Sequence, residues 1–170
     1  MARFADALIS ELDQEAATTR RVLERVPDEN LGWKPHAKSM SLGQLALHVA
    51  TIPGAIAKFL LNDGLEMGGV SFERPAAKSA SELLPALDES IKDAKAMLAG
   101  LDEQRAMAIW MLTSSGKELF AAPRIVVART IMLNHWYHHR GQLSVYLRLL
   151  NIPVPSIYGP SADENPFAAA

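Results

Sequence analysis

Between Asn134 and Gln142 the chain reads Asn-His-Trp-Tyr-His-His-Arg-Gly-Gln, which puts three of its five histidines within five residues. The stretch lies inside a long apolar periodicity. Ala128, Met132, His135, His139, Leu143, Tyr146 and Leu150 recur at threes and fours, the spacing of one face of an α-helix. His135 and His139 are four apart and therefore stack on that face. Imidazoles at this spacing can share one metal ion, as in the helical His-Glu-x-x-His motif of zinc proteases. The glutamate that acts there as base is missing, and Trp136 stands in its place. The spacing transfers; the protease chemistry does not.

Three further stretches have helical period. From about Arg3 to Val26, Phe4, Leu8, Leu12, Ala16, Thr19, Leu23 and Val26 form a stripe, with Asp6, Glu11, Glu15, Arg20 and Glu24 elsewhere on the wheel, and Pro27 ends it. A second helix is expected from Ser41, where Ser41-Leu42-Gly43-Gln44 has the form of a capping box. Leu45, Ile52, Ile56 and Phe59 carry its stripe. Pro53 removes the donor that would reach the Val49 carbonyl, so a kink is expected there, and the period resumes at Ile56. A third helix begins near Ser79, with Glu82 as a second capping-box candidate, and runs through Leu83, Leu87, Ile91, Ala94 and Leu98 to Leu101. The fourth begins at Pro123 and ends at Leu150, with Asn151 as cap.

The links are less regular. Residues 27–40 hold Trp33, read as a plug at the end of the helices, and His36, read as solvated. Residues 64–80 carry Gly64, Gly68, Gly69 and Pro75 and read as a long surface crossover. Between about 102 and 122 the helical period fails, and Ala108–Leu112 with Lys117–Phe120 read as a short hairpin or an irregular loop. Pro153, Pro155, Pro160 and Pro166 make the last segment irregular. The expected fold is all-α, a four-helix bundle formed as one domain over residues 1–170, with a long crossover and an irregular C-terminal tail.

Composition sets bounds on function. Seventeen basic and 19 acidic residues give a net charge of −2, and no basic run stands out, which argues against nucleic acid as the partner. No cysteine is present, so disulfides, thiolate metal sites and a cysteine nucleophile are excluded. The Met1–Asp6 start lacks the apolar core of a signal peptide. The longest apolar run, around Ile125–Leu133, carries Arg129 and falls short of membrane length. A cytoplasmic protein with no membrane partner is expected.

Bundles build metal sites from inward side chains on neighbouring helices. His48 lies in the stripe of the second helix, three after Leu45 and four before Ile52. A lone histidine on such a stripe is more often a hydrogen-bonded core residue than a ligand. Three imidazoles facing one core are costly without a shared purpose, however. His48, His135 and His139 together make an N3 set that leaves coordination positions open for water or substrate. His138 lies about 100° round the helix from His139 and reads as flanking. Gln142 can touch a ligand or satisfy backbone. Tyr146 reads as core, and Arg140 as an anion holder beside the site or, more simply, a surface residue. No catalytic residue is assigned.

Three segments resemble the DinB family of metal-binding helical bundles: Ser41-Leu42-Gly43-Gln44-Leu45-Ala46-Leu47-His48, His135-Trp136-Tyr137-His138-His139-Arg140-Gly141-Gln142-Leu143, and Pro153-Val154-Pro155-Ser156-Ile157-Tyr158-Gly159-Pro160-Ser161. The resemblance spans almost the whole chain in order. It implies an up-down-down-up four-helix bundle, a metal held by His48, His135 and His139, zinc or nickel as that metal, and homodimers. It also implies, for a subset of relatives, transfer or isomerisation reactions that use a low-molecular-weight thiol. The leading expectation is a metal-dependent thiol S-transferase with a small-molecule substrate. The alternatives are a metal-binding stress-response protein without turnover and a metal-dependent hydrolase.

Overall fold

The structure is a computed structural model and describes residues 4–69 and 74–168. Arg3 at the expected helix start, residues 70–73 of the expected crossover and the end of the Ala168–Ala170 run lie outside them. The chain is mostly helical. α1 spans Phe4–Leu23, and its stripe is buried at Leu8, Leu12, Thr19 and Leu23. Its polar side is not given over to water: Glu11 and Glu15 face a later helix, as described below.

α2 spans Leu42–Leu60 and starts with the anticipated capping box. The Ser41 hydroxyl accepts from the Gln44 N–H at 3.2 Å, while the Gln44 side chain accepts from the Ser41 N–H at 2.9 Å. Two other segments cross this first turn. The Gly43 N–H donates to Leu31 O at 2.9 Å, and the Gly43 carbonyl accepts from Ala77 N at 3.2 Å. A Cβ at position 43 would lie 3.1 Å from Leu31 O and 3.2 Å from Ala77 O, so the crossing needs a glycine.

The helix runs on through Pro53. Pro53 has no N–H, so the Val49 carbonyl one turn earlier loses its helical donor. That carbonyl instead accepts from the indole Nε1 of Trp136 at 2.8 Å. On the other side of the same turn, the Gly54 N–H donates to Ser90 Oγ at 2.8 Å. A Cβ on residue 54 would come within 2.8 Å of Ser90 Cα, so α2 and α3 (Leu83–Ala99) touch backbone to backbone here. Ser79 caps a 3₁₀ turn ahead of α3, but Glu82 accepts from Lys78 N rather than Ser79 N. The second capping box is therefore not reciprocal.

The all-α expectation needs correction, because a three-stranded sheet is present. β1 (Gly64–Glu66) pairs in parallel with β2 (Ile109–Ser114), which pairs antiparallel with β3 (Lys117–Pro123). The hairpin reading of the 102–122 region is right. Ser115 (φ 50°) and Gly116 (φ 75°) form its two-residue turn, and positive φ at both positions is the type I′ signature. β1 escaped notice because it is three residues long, sits in a glycine-rich link and pairs far along the chain. Glu66 binds the hairpin turn through Thr113 Oγ1 at 2.7 Å and Ser115 N at 2.8 Å. The short α4 (Glu103–Met107) precedes the hairpin. The hairpin docks on the end of α2 through Trp110 Nε1, which donates to Phe59 O at 3.2 Å.

α5 (Arg124–Val127), a π-helical stretch (Ala128–Leu133) and α6 (Asn134–Leu149) follow one another without a loop. Arg124 is 1% exposed and ties the sheet end together, donating to Arg105 O at 2.8 Å, Asn62 O at 3.0 Å and Asp63 Oδ1 at 2.6 Å. α6 closes as expected at Asn151. Its φ of 58° is left-handed, and Ile152 N and Asn151 N donate back to Leu147 O and Arg148 O at 2.9 and 3.0 Å, a Schellman motif. The tail has no regular structure but is strapped down. Asp163 pairs with Arg148 and accepts from Val154 N at 2.8 Å, and Glu164 pairs with Arg21 and accepts from Ser156 N at 3.0 Å. Among the described residues, no helix is long and apolar enough to cross a membrane.

The Trp136–Val49 bond can be tested directly. Trp136→Phe leaves the carbonyl at a buried position without a donor, which costs about 1–3 kcal/mol beyond the lost packing. Urea denaturation should record that loss. Adding Pro53→Ala restores an N–H one turn on, and the double variant should recover part of it. Equal stability of wild type and Trp136→Phe would refute the role of the bond.

Candidate metal centre

Trp136 and Val49, which share the hydrogen bond above, are the chain neighbours of His135 and His48. The bond therefore sets the register between α6 and α2 at the level of these histidines. The Pro53 turn and the Trp136 ring together place His48 opposite His135 and His139. The ring centroids are 5.4 Å apart for His48 and His135, 4.6 Å for His48 and His139, and 4.6 Å for His135 and His139. One nitrogen from each ring lies within 4.8 Å of the others, and all three side chains are half-buried. To reach the roughly 2.0–2.1 Å of a metal–imidazole bond, each nitrogen needs to move by less than about 1 Å. Among the described residues, this cluster contains no carboxylate.

The rings are held neutral, the form a metal needs. Burial is the main cause for all three. It brings His48 down to about 4, with the charges of His139, His135 and Arg74 adding to it. His139 also falls to about 4, through burial, opposed by its bond to Gln142 and helped by His135, His138 and Arg74. His135 is lowered by burial, then by His138 and Arg74.

Gln142 Oε1 lies 2.7 Å from His139 Nδ1. An amide oxygen there accepts from Nδ1–H, which keeps the proton on Nδ1 and leaves the Nε2 lone pair for a metal. Of the two roles open to Gln142 on sequence, the structure thus shows a third, orienting one of the rings. His138 is exposed and its ring is 4.9 Å from that of His139, as a flanking residue should be. His36 is exposed in its loop. Tyr146 is half-buried, with its hydroxyl donating to Met40 O at 3.3 Å, and it meets the Trp33 ring edge-on at 5.6 Å. Trp33 is thus half-buried against the helix that carries His139.

Arg140 corrects the surface reading. It is 1% exposed and pairs with Glu15 at 2.5 Å. It also donates to Glu15 O at 3.2 Å, Thr19 Oγ1 at 3.1 Å and Tyr158 OH at 2.5 Å. Its guanidinium stands over the rings of Tyr137 and Tyr158, at 5.3 and 5.1 Å. Tyr137 in turn donates to Glu11 at 3.0 Å. The polar side of α1 therefore receives the side of α6 that points away from the histidines. One residue of this neighbourhood had no signal in the sequence. Arg74 sits in a link without periodicity, yet its charge acts on all three rings.

A mostly helical chain with three clustered, neutral imidazoles from two packed helices is a metalloprotein-like helical domain. The sequence model of the DinB family matches residues 1–166, and the chain belongs to that family. It is similar to the uncharacterized protein YrdA of Bacillus subtilis (strain 168), with 25% identity over 167 residues, 96% of this chain and 93% of that protein. Among solved structures it resembles a DinB-like protein from Bacillus cereus ATCC 10987, with 22% identity, a TM-score of 0.68, and coverage of 90% of this chain and 97% of the other. It also resembles a DinB-like protein from Bacillus subtilis, with 18% identity, a TM-score of 0.63, and coverage of 86% and 95%. These likenesses show the shared fold.

The lowered pKa values give a pH dependence of known sign. In the unfolded chain these histidines take up protons near 6.5, whereas folded His48 and His139 do so only near 4. The unfolded state thus binds more protons between those values, and the metal-free protein loses stability as pH falls from about 6.5 towards 4. Thermal melts from pH 7.5 to 4.5 should show this decline. It should be shallower in His48→Gln, and an unchanged slope would contradict the assigned burial.

Proposed function

We propose that the chain is a divalent-metal protein of the thiol S-transferase type, in which His48, His135 and His139 hold Zn²⁺ or Ni²⁺. The supporting observation is the convergence of three half-buried ring nitrogens within 4.8 Å from two helices, with no fourth protein ligand in the cluster among the described residues. A closed structural site has four protein ligands, whereas a three-ligand site keeps a position for water or substrate. A bound divalent ion supplies Lewis acidity, which favours the deprotonated form of a thiol or water.

The chain's own residues do the rest. His139 is presented through Nε2 because Gln142 holds its other nitrogen. The site needs no proton release from imidazolium at neutral pH, since burial keeps the rings neutral. In this reading the helices form an up-down-down-up bundle, and the protein acts on a small-molecule substrate with a low-molecular-weight thiol as co-substrate. It works as a cytoplasmic homodimer without nucleic-acid or membrane partners.

Protein purified without a histidine tag should carry close to one equivalent of Zn²⁺ or Ni²⁺ by elemental analysis, or take it up on addition. His135→Ala should weaken binding by more than the roughly 10–100-fold that outer partners contribute. Gln142→Leu should weaken it by about tenfold. A protein that neither carries nor takes up metal would end this reading. A stress-response protein without turnover, with a structural ion, instead predicts a large drop in Tm on metal removal and no thiol binding at the metal. A hydrolase predicts turnover that needs no added thiol.

A further inference from the structure

We infer that Tyr158 is a positioning residue of the three-histidine centre. Its hydroxyl, delivered by a loop over residues 154–164, locks Arg140 and with it the rotation of α6 that aims His135 and His139 at His48. This rests on the metal reading above and extends it to the C-terminal segment, which becomes a determinant of metal affinity.

The first support is a closed ring of polar bonds. Arg140 Nη2 pairs with Glu15 Oε2 at 2.5 Å and donates to Tyr158 OH at 2.5 Å. The Tyr158 hydroxyl donates in turn to the same Glu15 oxygen at 2.9 Å. Each of the three groups thus holds the other two. Arg140 and Glu15 sit on helices, α6 and α1, whereas Tyr158 comes from the irregular tail. Tyr158 is 70% exposed even though its hydroxyl reaches a guanidinium that is 1% exposed. Burial of the ring therefore does not explain where this side chain lies.

The second support is the loop that carries it. Ser161 Oγ donates to Val154 O at 2.7 Å and accepts from Asp163 N at 3.1 Å and Glu164 N at 3.0 Å. Ser156 Oγ donates to Gly159 O at 2.7 Å. The loop is thus closed on itself, with Tyr158 inside the closure. Its two carboxylates, Asp163 and Glu164, pair with Arg148 of α6 and Arg21 of α1, the same two helices that the Arg140 clamp joins. Half-exposed pairs of this kind add little stability, and ordering the loop costs conformational entropy. What the loop secures is the place of one hydroxyl.

The third support is leverage. Arg140 directly follows His139 and lies one turn after Trp136, so the two grips on α6 bracket a ligand. A rotation of α6 by about 10° moves a group at its radius of roughly 5–6 Å by about 1 Å. That is as far as the ring nitrogens need to travel to meet one ion. A looser clamp therefore costs metal affinity while the helix stays folded.

The test titrates the full chain with Co²⁺, whose d–d absorption reports metal binding. Tyr158→Phe keeps the ring and removes the hydroxyl. It should weaken Co²⁺ binding about fivefold, less than a partner bonded directly to a ligand would. Tyr146→Phe is the matched control, since it removes a hydroxyl bond from the same helix, that to Met40 O at 3.3 Å, and leaves the Arg140 clamp intact. It should stay within about twofold of wild type, as a site with no shared partners does. A merely structural tyrosine would give the same result in both variants. Absent d–d bands in wild type would sink the metal reading itself. Normal bands with Tyr158→Phe binding Co²⁺ as wild type does, or with Tyr146→Phe losing as much, would overturn the role of Tyr158 alone.

Discussion

The arrangement of this protein depends on a carbonyl that its own helix cannot satisfy. Pro53 removes the donor due to Val49 O, and a buried acceptor without a donor costs about 1–3 kcal/mol. Trp136, fully buried, supplies the missing N–H from α6 at 2.8 Å. A bond of this kind has a direction as well as an energy. Apolar packing tolerates small rotations of one helix on another, whereas an indole N–H aimed at one carbonyl fixes both rotation and height. The residues next to the two partners are His48 and His135, so the bond that repairs the proline turn also brings the histidines together.

A second polar contact keeps α6 from turning the other way. Arg140 follows His139 directly, about 100° round the helix. Its buried pair with Glu15 and its bonds to Glu15 O and Thr19 grip α1. α6 is thereby held on two sides, by an indole bond to α2 and by a guanidinium to α1. A buried pair of this kind is weak evidence of net stability, since desolvation offsets most of its attraction. Its evident effect is orientation. Tyr158 adds the C-terminal segment to the same guanidinium, which explains how a proline-rich tail without regular structure comes to lie in a defined place.

The parts legible from sequence are those written in local periodicity. The α1, α2, α3 and α6 stripes, the Ser41 capping box, the Asn151 cap and the inward side of His48, His135 and His139 all follow from spacings of three and four. The three histidines could be named together because each helix declares its own buried face. What could not be read depends on partners far along the chain. β1 is three residues whose strand character exists only beside β2. Arg140 has the identity of a surface residue, and only the presence of Glu15 and Thr19 on a packed α1 makes burial tolerable. The Glu11 and Glu15 side of α1 satisfies the wheel of a solvated helix, and nothing local distinguishes water from a buried arginine as its partner.

The two arginines near the site reverse what chain position suggests. Arg140 adjoins His139 in sequence, yet its charge is taken up by Glu15 at 2.5 Å on the α1 side. Arg74 is remote from His139 in sequence and lies in an aperiodic link, yet it acts on every ring of the cluster. Helical geometry accounts for the first fact, since one residue's rotation turns Arg140 from α2 towards α1. Backbone bonding accounts for the second, since Gln44 and Gly43 hold the 74–77 segment on the turn before His48. The paired, buried arginine therefore orients the helix. A cluster of three neutral imidazoles brings no anion of its own, and among the described residues no carboxylate joins it.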